Sequence, residues 1–306
     1  MKNGKVHVAL IVVVLAAVVI FVSFSARSSS RGVAVQSKPE STVKSTSRVA
    51  TATTSAKTST AAFAAAASQN AALRNELSWT FGGKQQRGWS LYELLISKTL
   101  KTQEDAATSD FASAVATWQK RSGLSADGVL DEDSLMRLVS QWQNNRLKNR
   151  AAATPDQLLT APTTDFYDPS RAEELRQVER TTYAAYKRMI AAALADKTLK
   201  LARSSSGELA PGEKYFKIIS AFRSREYQDE LRRRSPTAGS AGLAVNSPHF
   251  TGRALDIYVG GDPVDTKDSN RAIQVDTPAY RWLVRNAERF GFRPYFYEPW
   301  HWEYVG

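Results

Sequence analysis

The longest apolar run of the chain lies at its N-terminus. Two lysines precede a nearly uninterrupted apolar segment, Val6 to Ala26. A membrane-spanning helix needs about 20 such residues, whereas the apolar region of a secretory signal peptide usually has about 7–15. The length favours a membrane anchor over residues 1–26, and Ser23 and Ser25 keep a cleaved signal peptide open as the alternative. In both cases the rest of the chain is predicted to be exported.

Residues 27–75 carry no sustained apolar pattern. They are mainly Ser, Thr, Ala and Val with scattered basic residues. Such a composition cannot bury enough apolar surface to offset the conformational entropy lost on folding. The segment is therefore predicted to be a disordered linker between the membrane and the folded part of the chain.

Helical spacing of apolar residues begins in the region 76–145. The segments 91–100 and 111–124 both show it. One face of the second segment carries Phe111, Val115, Trp118 and Leu124. A turn at Asp127-Gly128 precedes a third helical stretch. The pattern predicts a small three-helix module.

A second linker, rich in Ala, Thr and Pro, is predicted at 146–165, and a C-terminal domain at 166–306. Asp168 and Pro169 suit the first positions of a helix. The apolar stripe predicted for that helix is Ala172, Leu175, Val178, Tyr183, Tyr186, Met189 and Ile190. The elements predicted after it are a strand at 215–222, a helix at 224–234, a strand at 254–261, a helix at 277–292 and a final aromatic strand. Helices beside short strands indicate an α+β fold with a small antiparallel sheet.

Charge and composition narrow the kinds of metal site and of binding partner that the chain can have. The chain has no cysteine, so any metal must be held by His and carboxylate groups. The net charge is +11, but residues 27–75 hold seven basic residues against one acid. That segment has no aromatic residue for base stacking apart from Phe63, which argues against a nucleic-acid partner. Attraction to an anionic cell envelope fits the charge better.

Two of the three histidines lie in the C-terminal domain, each near carboxylates. His249 precedes Asp256, and His301 lies between Glu298 and Glu303. A catalytic zinc site needs about three protein ligands and an open position for water. It also needs a nearby carboxylate as general base. The spacing allows such a site, and hydrogen-bonded core histidines are an equal alternative on spacing alone.

Three motifs of this domain resemble those of the D-alanyl-D-alanine carboxypeptidase family of zinc peptidases. SPHFTGRALDI is similar to the family motif SxHxxGxAxD, EPWHW to ExxHW, and ISAFRSREYQ to a strand ending in SxxRS before a helix with Gln. The resemblance covers roughly residues 170–306. It implies a zinc site with His249, Asp256 and His301 as ligands.

The same resemblance implies roles for four further residues. Glu298 matches the catalytic base, and Arg223 the arginine that stabilises the oxyanion. Ser247 matches a serine that contacts substrate, and Arg225 is a weaker alternative for the arginine role. Glu303 lies outside the motif and is expected to be an outer or surface acid.

The segment FASAVATWQKRSGLSADGVLDEDSLMRL resembles the second half of a peptidoglycan-binding domain found on wall hydrolases. The matching features are the AVxxWQ helix, the Gly-Leu turn, DGV and a final helix. The first half, around TFGGKQQRGWSLYELL, matches poorly. A generic helical spacer is therefore the alternative to wall binding.

Together these features predict an exported zinc peptidase of the cell envelope. Its expected partners are peptidoglycan and, through the N-terminal segment, the membrane; the sequence leaves the oligomeric state open. Removal of terminal D-Ala is the favoured reaction, with L,D- or D,D-endopeptidase cleavage or a non-catalytic wall-binding role as alternatives. The Gly- and Ser-rich segment 232–246 is expected to be a lid or the rim of the site. A serine D,D-peptidase is excluded, because the chain lacks the SDN and KTG partners of an SxxK motif.

Overall fold

The computed structural model describes residues 63–234 and 246–306. The predictions for residues 1–62, including the membrane segment, lie outside this range, as does most of the segment 232–246. Within the described ranges, no helix has the length and apolar character needed to cross a membrane.

The N-terminal part is a helical module with a small hairpin. The elements are α1 (Ala64–Glu76), β1 (Ser78–Phe81), β2 (Lys84–Arg87), α2 (Glu93–Leu100), α3 (Ser109–Arg121) and α4 (Glu132–Asn144). Helices α2, α3 and α4 are the three predicted ones. The hairpin was not predicted; its turn uses Gly82 and Gly83, which both have positive φ.

Helix α1 corrects the predicted linker at 27–75, because its residues 64–75 are helical. Alanine has the highest helix propensity, and the start of α1 is almost entirely alanine. Asn70 fixes the helix to the turn before α4. Its amide donates to the carbonyl of Gly128 at 2.8 Å, and its side-chain oxygen accepts from Leu130 N at 2.7 Å.

Gln119, the glutamine of the AVxxWQ segment, holds two elements of this module together. Its side chain is buried and accepts a hydrogen bond from Gly128 N at 2.9 Å. It also donates to the carbonyl of Val129 at 2.9 Å. The amide therefore ties α3 to the turn that precedes α4, whatever the module binds.

The second linker and the first helix of the C-terminal domain also need correction. Within 146–165 lies β3 (Leu158–Thr160), which pairs antiparallel with β4 (Gln177–Glu179). Helix α5 (Arg180–Ala195) starts later than predicted, because the Glu179 carboxylate accepts from its first amides. Asp168 instead accepts from Ser170 N and closes a local turn. The residues 172–178 are thus outside the helix.

The C-terminal domain has an antiparallel sheet at its centre, as predicted. The helix predicted at 277–292 ends at Asn286, so that Phe292–Pro294 adds a fourth strand to the sheet. Its strands are β5 (Ile218–Ser220), β6 (Ala254–Ile257), β7 (Phe292–Pro294) and β8 (His301–Tyr304), in the order β5-β6-β8-β7. The flanking helices are α5, α6 (Arg225–Arg234), α7 (Asp268–Asp276) and α8 (Pro278–Asn286). Every residue of β6 and β8 is buried. These two strands form the inner pair of the sheet.

The helical module and the C-terminal domain share one hydrophobic core. The ring of Phe296 contacts Phe81, Tyr92 and Trp142 of the module, with centroid distances of 4.7, 5.3 and 5.8 Å. Arg271 of α7 is 1% exposed and donates to the hydroxyl of Tyr92 at 2.9 Å. The module is therefore packed against the segment that leads into the last strand.

Candidate active site

The inner strands of the sheet place an aspartate opposite a histidine. Asp256 of β6 and His301 of β8 are paired in the antiparallel register. His301 Nδ1 lies 2.9 Å from Asp256 Oδ1, and both side chains are buried. Two of the predicted metal ligands are thus brought together by strand pairing alone.

The third predicted ligand comes from a tight turn at 248–251. Ser247 caps this turn, since its hydroxyl accepts from His249 N, and Gly252 ends it with a positive φ of 65°. A Cβ on Gly252 would lie 2.9 Å from Glu179 N, so the turn fits closely against β4. His249 Nε2 lies 3.4 Å from Asp256 Oδ2.

The other ring nitrogen of His249 fixes its tautomer. Nδ1 lies 2.6 Å from the carbonyl oxygen of Ala221, which can only accept. The proton is therefore on Nδ1, and the lone pair of Nε2 is directed to Asp256. Burial lowers the pKa of His249 to about 4, so the ring is neutral.

The three residues fit a metal ion. His249, Asp256 and His301 offer ligand atoms that all lie within 4.8 Å of one another, and all three are buried. Among the described residues, His249 Nε2 has no hydrogen-bond partner. Two imidazoles and one carboxylate are a donor set that suits zinc and leaves room for water.

His301 differs from His249 in its surroundings. Burial by itself would lower its pKa, but hydrogen bonds to the carboxylates of Asp256 and Glu303 raise the pKa of His301 to about 9. Burial would likewise raise the pKa of Asp256, yet the two histidines hold it well below its ordinary value. Asp256 is thus ionised. Its negative charge can be balanced by a protonated His301 or by a metal cation.

Glu303 is fully buried and holds the far side of His301. Its Oε1 lies 3.2 Å from His301 Nε2, which leaves Nδ1 toward Asp256. Glu303 is in turn paired with Arg146, and its Oε2 accepts from Leu147 N at 2.9 Å. Glu303 is therefore an outer acid and not a surface one.

Glu298 lies in the turn between β7 and β8, where His301 N donates to its carbonyl at 2.9 Å. Its side chain is 1% exposed, and neither carboxylate oxygen has a hydrogen-bond partner in the described ranges. Burial raises the pKa of Glu298 to about 8. A buried carboxyl group without a partner is costly for a fold, which indicates a chemical use for it.

The two candidate arginines are in different environments. Arg223 is buried; its Nη2 donates to Asp256 Oδ2 at 3.1 Å and to Ser220 Oγ at 3.0 Å. Its Nη1 has no partner in the part of the chain that the structure describes. Arg225 is exposed and lies over the ring of Phe250, 4.9 Å from the centroid. Only Arg223 contacts a predicted metal ligand.

Two contributors to the site were not predicted from the sequence. Arg146 carries no motif and lies far from His301 in sequence, so no local signal identified it. The carbonyl of Ala221 orients His249 but belongs to the backbone, which leaves no trace in residue identity. Ser220, by contrast, is the serine of the SxxR motif, and its contact with Arg223 explains that spacing.

Residues 175–306 match the family model for D-alanyl-D-alanine carboxypeptidase. The match supports a carboxypeptidase-type activity for this part of the chain. A solved structure titled "VanYB in complex with D-Alanine-D-Alanine" is 23% identical, with a TM-score of 0.28, over 42% of this chain and 72% of that chain. No curated protein matches the chain.

Proposed function

We propose that the domain matching the D-alanyl-D-alanine carboxypeptidase family is a zinc peptidase. Its substrate class is the D-Ala-containing stem peptide of peptidoglycan, and removal of the terminal D-Ala is the favoured reaction. The observation that carries the proposal is the convergence of His249, Asp256 and His301 in a chain segment that also buries the unpaired carboxyl group of Glu298.

His249 through Nε2, His301 through Nδ1 and the Asp256 carboxylate would hold the ion. A zinc ion held there would lower the pKa of a bound water to about 7 and polarise the scissile carbonyl. The protein supplies the remaining chemistry, which is the transfer of protons and the stabilisation of negative charge.

Glu298 is the proposed general base. A nearby cation favours the ionised form of a carboxyl group, so metal binding would offset the effect of burial on its pKa. Ionised Glu298 accepts a proton from the attacking water as the carbon–oxygen bond forms. It delivers that proton to the amine nitrogen as the carbon–nitrogen bond breaks.

Arg223 is the proposed donor to the oxyanion that develops on the carbonyl oxygen. Asp256 and Ser220 hold one edge of its guanidinium, and Nη1 is left to donate. A donor that is already fixed in place loses little on reaching the transition state. Ser247 is proposed to contact the substrate, and the exposed Arg225 to play a lesser part in binding it.

The test compares the full chain with a Glu298→Gln variant. We expect one zinc per chain in both proteins and a fall of about 10²–10⁴-fold in muropeptide hydrolysis in the variant. The masses of the products identify the bond. Loss of one D-Ala supports carboxypeptidase action, whereas opening of a cross-linked dimer supports the endopeptidase alternative.

Two other results would contradict the proposal. Zinc without cleavage of any muropeptide by the unmutated chain would favour a non-catalytic wall-binding protein. Absence of zinc would remove the metal mechanism altogether.

We further propose that the protein acts in the cell envelope, held by residues 1–26 and bound to peptidoglycan. The apolar N-terminus, the basic segment that follows it and the chemistry of the substrate support this location. Protease accessibility of the C-terminal domain in intact spheroplasts tests it. Complete protection until lysis would contradict export.

A further inference from the structure

We propose that Arg146, which follows the helical module, is a positioning residue for the metal ligand His301. The inference rests on the proposed metal site. It gives the module 63–145 a task within the active site, in addition to any wall binding. Three contacts carry it: Arg146 with Glu303, Glu303 with His301, and the next part of the chain with the His249 turn.

Arg146 is held rigidly at the end of α4. Its guanidinium is 7% exposed and lies over the ring of Tyr295, 3.9 Å from the centroid. Nη1 donates to the side-chain oxygen of Gln143 in α4 at 3.0 Å. Nε and Nη2 donate to Glu303 Oε1 at 3.1 and 2.5 Å. The guanidinium is thus hydrogen-bonded to the helical module through Nη1 and to the sheet through Nε and Nη2.

Glu303 transmits this position to His301. Its carboxylate is 0% exposed and is enclosed by Arg146, the amide of Leu147 and His301. Glu303 Oε1 lies 3.2 Å from His301 Nε2, so the ring is held with Nδ1 toward the proposed metal position.

The chain that follows Arg146 also reaches the second histidine. Arg150 Nη1 donates to the carbonyl of Asn246 at 3.2 Å. Ala153 N donates to the carbonyl of Phe250 at 2.8 Å. These carbonyls lie on either side of His249. The segment 146–153 therefore connects both histidine-bearing elements to the helical module.

The experiment measures zinc affinity of the full chain by competition with a chromophoric chelator. Arg146→Met should weaken zinc binding by about 10–100-fold, as loss of a partner outside the ligands does in other zinc sites. Arg271→Met is the matched control, because Arg271 is also buried and joins the same two regions but has no hydrogen bond to a predicted ligand among the described residues. It should lower thermal stability and leave zinc affinity unchanged.

Glu303→Gln completes the test. It should also weaken zinc binding, and Arg146→Met combined with Glu303→Gln should lose no more affinity than the worse single variant, since both break one chain of contacts. If Arg146→Met does not fold, Glu303→Gln and the conservative Arg146→Lys, with intermediate affinity expected, decide the matter. Unchanged affinity in the folded variants overturns the inference. Absence of zinc from the unmutated chain instead overturns the proposed function.

Discussion

The turn that carries His249 and the strand that carries His301 each bury an imidazole ring, but they stabilise it in different ways. Both imidazoles are completely buried, yet the pKa of His249 is lowered to about 4 and that of His301 is raised to about 9. His249 donates to a backbone carbonyl, whereas His301 lies between two carboxylates. The first histidine is neutral and is held by a backbone carbonyl; the second depends on charged side chains from distant segments.

This difference shows where the metal-free site gains its stability. A backbone carbonyl is part of the fold and needs no compensating charge. The carboxylates beside His301 need cations, which Arg146, Arg223 and the ring itself provide. Removing one member of such a buried group leaves the others uncompensated.

The largest expected effect is therefore unequal loss of stability when either histidine is replaced. In metal-free protein, His301→Asn should lower the free energy of unfolding by about 3–5 kcal/mol, since it removes a charge from a buried ion pair. His249→Asn should cost about 1–2 kcal/mol, because the amide can still donate to the carbonyl of Ala221. Denaturant unfolding in the presence of chelator measures both.

Zinc binding is the control for this pair of variants. Both substitutions remove a predicted ligand, so both should lose zinc to a similar extent. Equal costs in the metal-free protein would contradict the distinction between a neutral and a charged histidine.

A smaller effect is the pH dependence of the same difference. His301 has a pKa of about 9 in the folded protein and of about 6.5 when unfolded. Between these values the folded protein binds more protons, so the stability due to His301 is complete below pH 6.5 and is lost as the pH rises to 9. The stability difference between the unmutated chain and His301→Asn should shrink by about 3 kcal/mol over this window.

His249 should behave in the opposite way. Its folded pKa of about 4 lies below the ordinary value of 6.5, so its stabilising effect is lost as the pH falls between these two values. Unfolding measured across both windows separates the two residues. A flat difference for His301→Asn above pH 6.5 would show that its ring is neutral too.

Much of the His249 side could be predicted from the sequence, because its residues share one short motif; the contact of His249 with the carbonyl of Ala221, 28 residues away, could not. The residues from Ser247 to Asp256 form one turn and one strand, and the motif keeps them at fixed spacing. The SxxR pair, Ser220 and Arg223, is local in the same sense. The antiparallel sheet followed from short apolar strands separated by helices.

The His301 side could be predicted only in part. Glu298 and His301 share a short motif, but Glu303 is paired with Arg146, which follows the helical module. Sequence separation hides such a contact, since it depends on how α4 packs against the sheet. The prediction of disorder for residues 64–75 was wrong for a related reason. Their low hydrophobicity suggested disorder, but Asn70 forms specific buried hydrogen bonds with a distant part of the chain.

The smallest expected effect concerns Arg225, on the His249 side. This exposed residue stacks on Phe250 of the turn, a contact worth about 0.5–1 kcal/mol. Arg225→Ala should lower the free energy of unfolding by no more than that and leave zinc affinity unchanged, because Phe250 is not a predicted ligand and His249 is held by the carbonyl of Ala221 and the hydroxyl of Ser247. Denaturant unfolding and chelator competition check the two parts. A fall in zinc affinity would mean that the His249 turn, like the His301 strand, depends on a charged side chain outside the ligands, and the contrast between the two regions would not hold.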